Sequence, residues 1–251
     1  ECIGGNVHGV VDKRCMKGSR VASQLAYWEA RYWDRRKLEA YTDAFVCPSD
    51  FMARKMEQGG FDPKKLNVVC NFVDPEKVKD YSVVKERKPY YIYVGRLSEE
   101  KGVNTLLEVA VQLPYTLKIA GGGPLVEELK SKYAGCKNIE FLGHLNAGQV
   151  RQYLSEARFS VIPSEWYENN PLSVIESLCF GTPVVGARIG GIPELISPST
   201  GFLFRSGDSD SLKKTLQAAW NSPFDYRQIA EQSIERFDRK AYLQKIMGLY
   251  R

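Results

Sequence analysis

Short apolar runs closed by glycine or proline alternate with amphipathic stretches along most of this chain. From about residue 88 the runs at 90–95, 116–120, 139–142, 159–162, 183–186 and 201–204 read as buried strands. Between them, apolar positions recur at helical spacing over 103–112, 125–133, 147–157 and 171–180. A short turn at 192–196 follows, then helices starting near 210, 226 and 239. Alternation this regular predicts an α/β fold with a doubly wound parallel sheet, whose ligands bind outside the carboxyl ends of the strands. The opening part is sparser: helix over 18–41, strand over 44–47, helix over 50–58, strand over 66–70. Two strands and two helices are too few to bury both faces of a parallel sheet. This part therefore reads as the tail of a second Rossmann-like domain whose opening strands are absent. A charged stretch at 71–88, with Pro75 just inside it and Pro89 just past it, marks the boundary. The division expected is 1–80 for the remnant and 81–235 for the complete domain. A terminal helix over 236–251 is expected to pack back on the first part.

Two glutamates carry the strongest chemical signal. Glu168 and Glu176 flank the passage from the fourth strand of the complete domain, 159–162, into the helix at 171–180. Asn170 suits the N-cap and Pro171 the first helical position, where a missing N–H costs nothing. The N–H groups of Leu172 and Ser173 then point outward, a place for an anion. Side chains on a helix lean toward its N-terminus, so Glu176 reaches back toward the same spot. An acceptor-only carboxylate beside an anion hole is what a ribose hydroxyl pair next to a diphosphate requires. A sugar nucleotide fits; a capped helix with two solvated glutamates is the plainer alternative.

Two glycine turns lie at other strand ends. Gly95-Arg96-Leu97-Ser98-Glu99-Glu100-Lys101-Gly102 lets a ligand approach the backbone and sets Arg96 and Lys101 at one edge. Against a diphosphate, a unit contact at about 4 Å gains on the order of 4 kcal/mol before desolvation is subtracted. Gly121-Gly122-Gly123-Pro124 serves tight packing first and ligand contact second, with Pro124 opening the next helix. It lacks the dinucleotide fingerprint, which disfavours an NAD-dependent dehydrogenase. Asp208-Ser209-Asp210 has the form of a cation-binding Asp-x-Asp, but acids at a helix start are expected as caps. His144 follows a strand at the ligand edge of the sheet, where a surface-turn role outweighs a catalytic one. Neither it nor His8 has a serine or cysteine partner at a recognisable spacing. Around Trp28, Tyr32 and Trp33, aromatics mix with cations. That mixture can mark a membrane-surface helix, although an ordinary packed face is the simpler expectation.

The 251 residues carry a formal net charge of +5, which favours anionic ligands or an acidic membrane surface and is too small to indicate nucleic acid. No apolar run is long enough to span a bilayer, and no secretion signal opens the chain. The cysteines show no framework spacing, so a reduced, cytoplasmic setting is the simpler account. Cys2 and Cys15 could be half of a metal site, but no second pair lies nearby.

Taken in order, Gly95-Arg96 with Lys101-Gly102, Ala120-Gly121-Gly122-Gly123-Pro124, Phe141-Leu142-Gly143, the Glu168 and Glu176 pair, Gly181-Thr182-Pro183-Val184-Val185 and Gly190-Gly191-Ile192-Pro193-Glu194 resemble family 4 (group 1) glycosyltransferases of the bacterial type, retaining enzymes of the GT-B fold. The resemblance covers essentially everything after Lys88. The opening Cys2-Ile3-Gly4-Gly5 through Cys15-Met16-Lys17-Gly18-Ser19 is similar to the latter part of that family's acceptor domain. It implies that Arg96 and Lys101 grip the donor diphosphate, that Leu172 and Ser173 meet its distal phosphate, and that Glu176 holds the ribose. Glu168, as the catalytic candidate, lies near the donor sugar. Gly95, Gly121, His144, Leu145, Asn170 and Pro171 complete the donor site, with Leu145 near the base.

The activity implied is retaining transfer of a hexose from a nucleoside-diphosphate sugar to a carbohydrate or polyprenyl-linked acceptor. It would need no cofactor and no bound metal, and would run in the cytoplasm or at the inner face of the cell membrane, in peripheral contact with it. The missing opening segment leaves this chain alone as the donor-binding part. Epimerases and phosphorylases share the architecture but would show further acids and histidines, or a pyridoxal lysine. A non-catalytic nucleotide-sugar-binding partner or regulatory module is the alternative from another class.

Overall fold

A computed structural model describes residues 6–74, 78 and 86–250, which divide between Val69 and Cys70 into two compact units. The first unit contains α1 (Gly9–Asp12), α2 (Arg20–Tyr32), α3 (Arg35–Ala40), β1 (Phe45–Cys47), α4 (Asp50–Gln58) and β2 (Leu66–Val68). The helical pattern expected to run unbroken over 18–41 is split, because the Asp34 carboxylate accepts from the Lys37 N–H at 2.9 Å and caps a new helix. β1 and β2 pair in parallel, Phe45 opposite Leu66. Trp28, Tyr32 and Trp33, expected on a packed face, are exposed together with Val21 and Leu25. Two three-residue strands are too small a platform to cover a 13-residue helix.

The second unit alternates strand and helix: β3 (Tyr90–Val94), α5 (Val103–Ala110), β4 (Thr116–Ala120), α6 (Val126–Lys132), β5 (Ile139–Gly143), α7 (Ala147–Glu156), β6 (Ser160–Ile162), α8 (Leu172–Cys179), β7 (Val184–Ala187), α9 (Ile192–Leu195), β8 (Gly201–Phe204), α10 (Ser209–Asn221), α11 (Tyr226–Arg236) and α12 (Arg239–Gly248). The strands form one sheet in the order β5-β4-β3-β6-β7-β8, every pairing parallel. Both faces are buried, which explains the continuously apolar strands. Tyr91 and Tyr93 of β3 face one core with Leu106 and Leu107 of α5, Leu129 of α6 and Leu212 and Leu216 of α10. Tyr90 and Ile92 face the other, with Val174, Ile175 and Leu178 of α8 and Ile229 of α11. Each such leucine or isoleucine contributes about 1.5–3 kcal/mol by leaving water.

Arg87, just before β3, ties the second layer together. Its Nη1 donates to the carbonyls of Leu154 and Ala157 at 3.3 Å each and to Thr182 Oγ1 at 2.8 Å. Its Nη2 donates to the Phe180 carbonyl at 3.0 Å, and the guanidinium lies 4.5 Å from the Tyr226 ring centre. The cation thus closes the carbonyl ends of both α7 and α8. Burial draws its pKa down to about 10. The last helix, α12, packs on the residues that open the second unit, which belong to the 1–80 stretch of the expected division: Tyr242 lies on Phe72 at 4.7 Å and Arg239 pairs with Asp74 at 3.3 Å. Among the described residues, no helix is long and apolar enough to cross a membrane.

Candidate functional site

The order of the sheet places its switch point between β3 and β6, where the chain leaves neighbouring strands in opposite directions and opens a crevice. The turn after β3 is shaped by Tyr93, whose hydroxyl donates to the Arg96 carbonyl at 2.7 Å. Beside it, Gly121 after β4 has φ +139°, and a Cβ there would stand 1.9 Å from the Gly95 carbonyl oxygen. Only glycine permits this approach of two strand-end loops. The result is an open cleft of about 360 Å³ lined by Val94, Gly95, Arg96, Ala120, Gly121, Gly122, His144, Leu145 and Val150. Five of the expected site residues meet here: Gly95, Arg96, Gly121, His144 and Leu145. Arg96 stands exposed at the rim and, among the described residues, forms no ion pair. The adjacent Glu100 carboxyl is held below its ordinary range, first by the Ser98 hydroxyl at 2.6 Å and more weakly by the charges of Arg96 and Lys101.

Lys101 and Glu168 form a direct ion pair, Nζ to Oε1 at 2.5 Å, with side chains 33% and 20% exposed. The pair joins the loop after β3 to the loop after β6, across the switch point. The same Oε1 accepts from the buried Ser164 hydroxyl at 3.0 Å. Behind Glu168 the Gly191 N–H donates to its carbonyl at 2.7 Å. Gly190 has φ +60°, and a Cβ there would lie 2.1 Å from the same carbonyl oxygen. Glu168 is therefore fixed from three sides, by Lys101, Ser164 and the glycine pair.

The start of α8 differs from the expected capping. Pro171 is the N-cap, extended at φ −67° and ψ 120°, and makes no side-chain cap; Leu172 opens the helix. Asn170 is not the cap because its side chain is taken up elsewhere. Its Oδ1 accepts from the Asn71 N–H at 3.2 Å, its Nδ2 approaches the Cys70 sulfur at 3.3 Å, and its carbonyl accepts from Asn71 Nδ2 at 3.0 Å. Asn170 is buried and joins the opening residues of the second unit to the start of α8. The first intrahelical donor is Val174, to the Pro171 carbonyl at 3.1 Å, so the N–H groups of Leu172 and Ser173 precede the ladder. Glu176 is half-buried one turn further on. Burial, and then its charge, push the Cys179 thiol up to about 12.

Other candidates resolve as structure. Asp208 Oδ1 accepts from the Ser211 N–H at 2.8 Å and caps α10, and Oδ2 pairs with Arg205 at 2.9 Å. Pro124 precedes rather than opens α6, which starts at Val126 after Leu125. His8 is exposed and pairs with Asp12 at 3.1 Å. Among the described residues, no three His, Cys, Asp or Glu side chains are grouped to hold a metal ion, and Cys2 lies outside those residues. Sequence reasoning missed Tyr93, Ser164 and Val150, and gave Gly190 and Gly191 no role although the pair is visible as a motif. Tyr93 and Ser164 read as ordinary strand-edge residues and leave no distinctive signal.

A family model described as glycosyl transferases group 1 matches residues 74–236, and one described as Glycosyltransferase Family 4 matches residues 5–77. Sulfoquinovosyl transferase SQD2 of Arabidopsis thaliana is 34% identical over 168 residues, covering 63% of this chain and 32% of that protein. O-antigen biosynthesis glycosyltransferase WbnH of Escherichia coli is 30% identical over 202 residues, covering 80% of this chain and 57% of its own. The chain thus spans about a third to just over half the length of these curated relatives. Among solved structures, the apo form of the lipopolysaccharide outer core galactosyltransferase WaaB superposes with a TM-score of 0.73 at 22% identity, over 84% of this chain and 62% of that one. Anabaena HepE in complex with UDP and glucose gives 0.70 at 20% identity, over 87% and 67%. At these identities the likeness shows the fold, GT-B. With the group 1 family model matching well over half its length, on the unit that holds the cleft, this chain belongs to the group 1 glycosyltransferases.

Proposed function

We propose that the protein transfers a hexose from a nucleoside-diphosphate sugar to a glycan or lipid-linked acceptor, with retention, and that its second unit holds the donor. The observation that carries this reading is the junction at the switch point. An apolar-walled cleft with Arg96 at its rim adjoins the turn whose Lys101 pairs with Glu168. Val94, Ala120, Leu145 and Val150 suit the flat base. Arg96, Lys101 and the leading N–H groups of α8 suit the diphosphate, and Glu176 the pentose hydroxyls. As the glycosidic bond breaks, negative charge grows on the distal phosphate. Two cations and a helix start stabilise it most where it is largest, in the transition state. The chain's own residues meet the diphosphate charge, so transfer proceeds without a bound metal.

In the resting site Lys101 belongs to Glu168. An arriving diphosphate competes for that ammonium, and the freed carboxylate then faces the donor sugar, where it eases positive charge at the anomeric carbon. The exposed aromatics and cations of α2 suit contact with a membrane surface bearing a lipid-linked acceptor.

A thermal-shift panel of uridine, guanosine and adenosine diphosphates and their sugars tests the donor assignment. One base series at a hundred times its dissociation constant should stabilise by about 2.7 kcal/mol. No shift with any of them would remove the donor site.

A further inference from the structure

The loop between β6 and α8 exposes aromatic surface where the fold has taken care to hold the backbone still. Trp166 is 69% exposed, Tyr167 58%, and Leu172 at the helix start 49%. The other large apolar side chains that the second unit exposes, among the described residues, are Val111, Leu243, Met247 and Tyr250, all far along the chain from this loop. The N–H groups of Glu165 and Trp166 both donate to the Glu100 carbonyl, at 3.0 and 3.2 Å. Ser206 donates to the Ser164 carbonyl at 2.9 Å, and Thr105 to Glu165 Oε1 at 2.5 Å. Clustered apolar exposure is the informative kind, and on a pre-ordered loop it lowers the entropy cost of taking up a ligand.

The chemistry of the loop selects the ligand. The two rings lie 6.4 Å apart at 56°, forming an angled shelf instead of a closed stack. Glu165 and Glu168 bracket them in sequence, both acceptors. A pyranose matches that combination, since its C–H face covers an aromatic ring while its hydroxyls donate to carboxylates at the edge. The same carboxylates disfavour an anionic lipid surface. The base has its apolar wall at the ends of β3, β4 and β5, whereas this shelf follows β6, on the other side of the switch point. We propose that Trp166 and Tyr167 form the platform for a sugar ring of the acceptor, next to Glu168. This rests on the glycosyltransferase reading above, and names the part of the substrate that the donor cleft leaves unassigned.

The test is fluorine NMR of the full chain labelled with 5-fluorotryptophan, the Trp166 signal being assigned by its loss in Trp166→Phe. Methyl glucopyranoside, methyl galactopyranoside and N-acetylglucosamine are titrated to 100 mM (about the ceiling for a weak single-ring contact), with and without UDP. A shift of the Trp166 signal with at least one pyranoside, leaving Trp28, Trp33 and Trp220 unmoved, supports the platform. Tyr167→Ala, which keeps the Trp166 signal as the probe, should then weaken that pyranoside at least tenfold. A Trp166 signal moved by no sugar, moved only by UDP, or insensitive to exchange of water for deuterium oxide overturns it. A pyranoside that shifts Trp166 while no nucleotide binds upholds the platform and overturns the donor assignment, so the two failures are distinct.

Discussion

Replacing Glu168 by glutamine should tighten the binding of a nucleoside diphosphate, the reverse of what loss of a site residue normally does. The reason lies in the Lys101–Glu168 pair at 2.5 Å. Gross attraction between unit charges at about 4 Å is on the order of 4 kcal/mol at the dielectric of a protein surface. Fully exposed pairs net only about 0–1 kcal/mol. With side chains 33% and 20% exposed, this pair falls between those limits, and releasing Lys101 to a diphosphate costs about 1–2 kcal/mol. Glutamine keeps the shape and the Ser164 contact but removes that cost, so affinity should rise about 5- to 30-fold. Lys101→Ala loses a charge-assisted contact worth about 1.5–3 kcal/mol but no longer meets the release cost, so it should weaken binding only about two- to fivefold. Isothermal titration of UDP, or of whichever diphosphate the panel selects, gives all corners of the cycle. The two substitutions should couple strongly, with the Glu168→Gln gain gone in the Lys101→Ala background. Unchanged or weaker binding by Glu168→Gln, or equal gains in both backgrounds, refutes it.

Other expectations follow from the same geometry. Arg96→Ala, which removes a rim cation that forms no ion pair among the described residues, should weaken the diphosphate about 10- to 100-fold with no change in unfolding midpoint, read by titration and denaturant melts. Gly190→Ala sets a methyl 2.1 Å from the Glu168 carbonyl in a left-handed backbone, and should cost about 2–4 kcal/mol in urea unfolding and lower kcat. Burial raises the phenols of Tyr90, Tyr91 and Tyr93 above their ordinary value of 10. Their contribution is whole below pH 10 and lost as pH rises, because the unfolded chain releases those protons first. Arg87, drawn down to about 10, works in the opposite sense and offsets one of the three. Stability should therefore fall by about 2 kcal/mol between pH 10 and 11, and a flat profile over that range contradicts that burial. Transfer should persist in excess EDTA; its abolition, with rescue by a divalent cation, would overturn the charge assignment to Arg96, Lys101 and the α8 start.

The parallel sheet was legible because both of its faces are buried: Tyr90-Tyr91-Ile92-Tyr93-Val94 has no polar position to confuse with a half-exposed strand. Glycine at strand ends pointed to the cleft for a comparable reason, since close approach of Gly95 and Gly121 tolerates no side chain. The start of α8 was misread because Asn-Pro fits a cap on local grounds. What decides Asn170 is Asn71, 99 residues earlier, and nothing in local sequence announces so distant a partner. The break in the first long helix at Asp34 was missed for the opposite reason. The capping signal was present, but the continuous apolar spacing around it outweighed one aspartate. The Lys101–Glu168 pair could not be read at all, because it joins two loops after different strands and exists only once the sheet order is known.

The central claim is that one crevice at the β3–β6 switch point holds the donor. A crystal structure of the protein with the nucleoside diphosphate that binds most tightly tests it directly. The diphosphate should lie between Arg96, a Lys101 released from Glu168, and the Leu172–Ser173 amides, with the pentose on Glu176. A diphosphate bound elsewhere, with the Lys101–Glu168 pair intact, would contradict it.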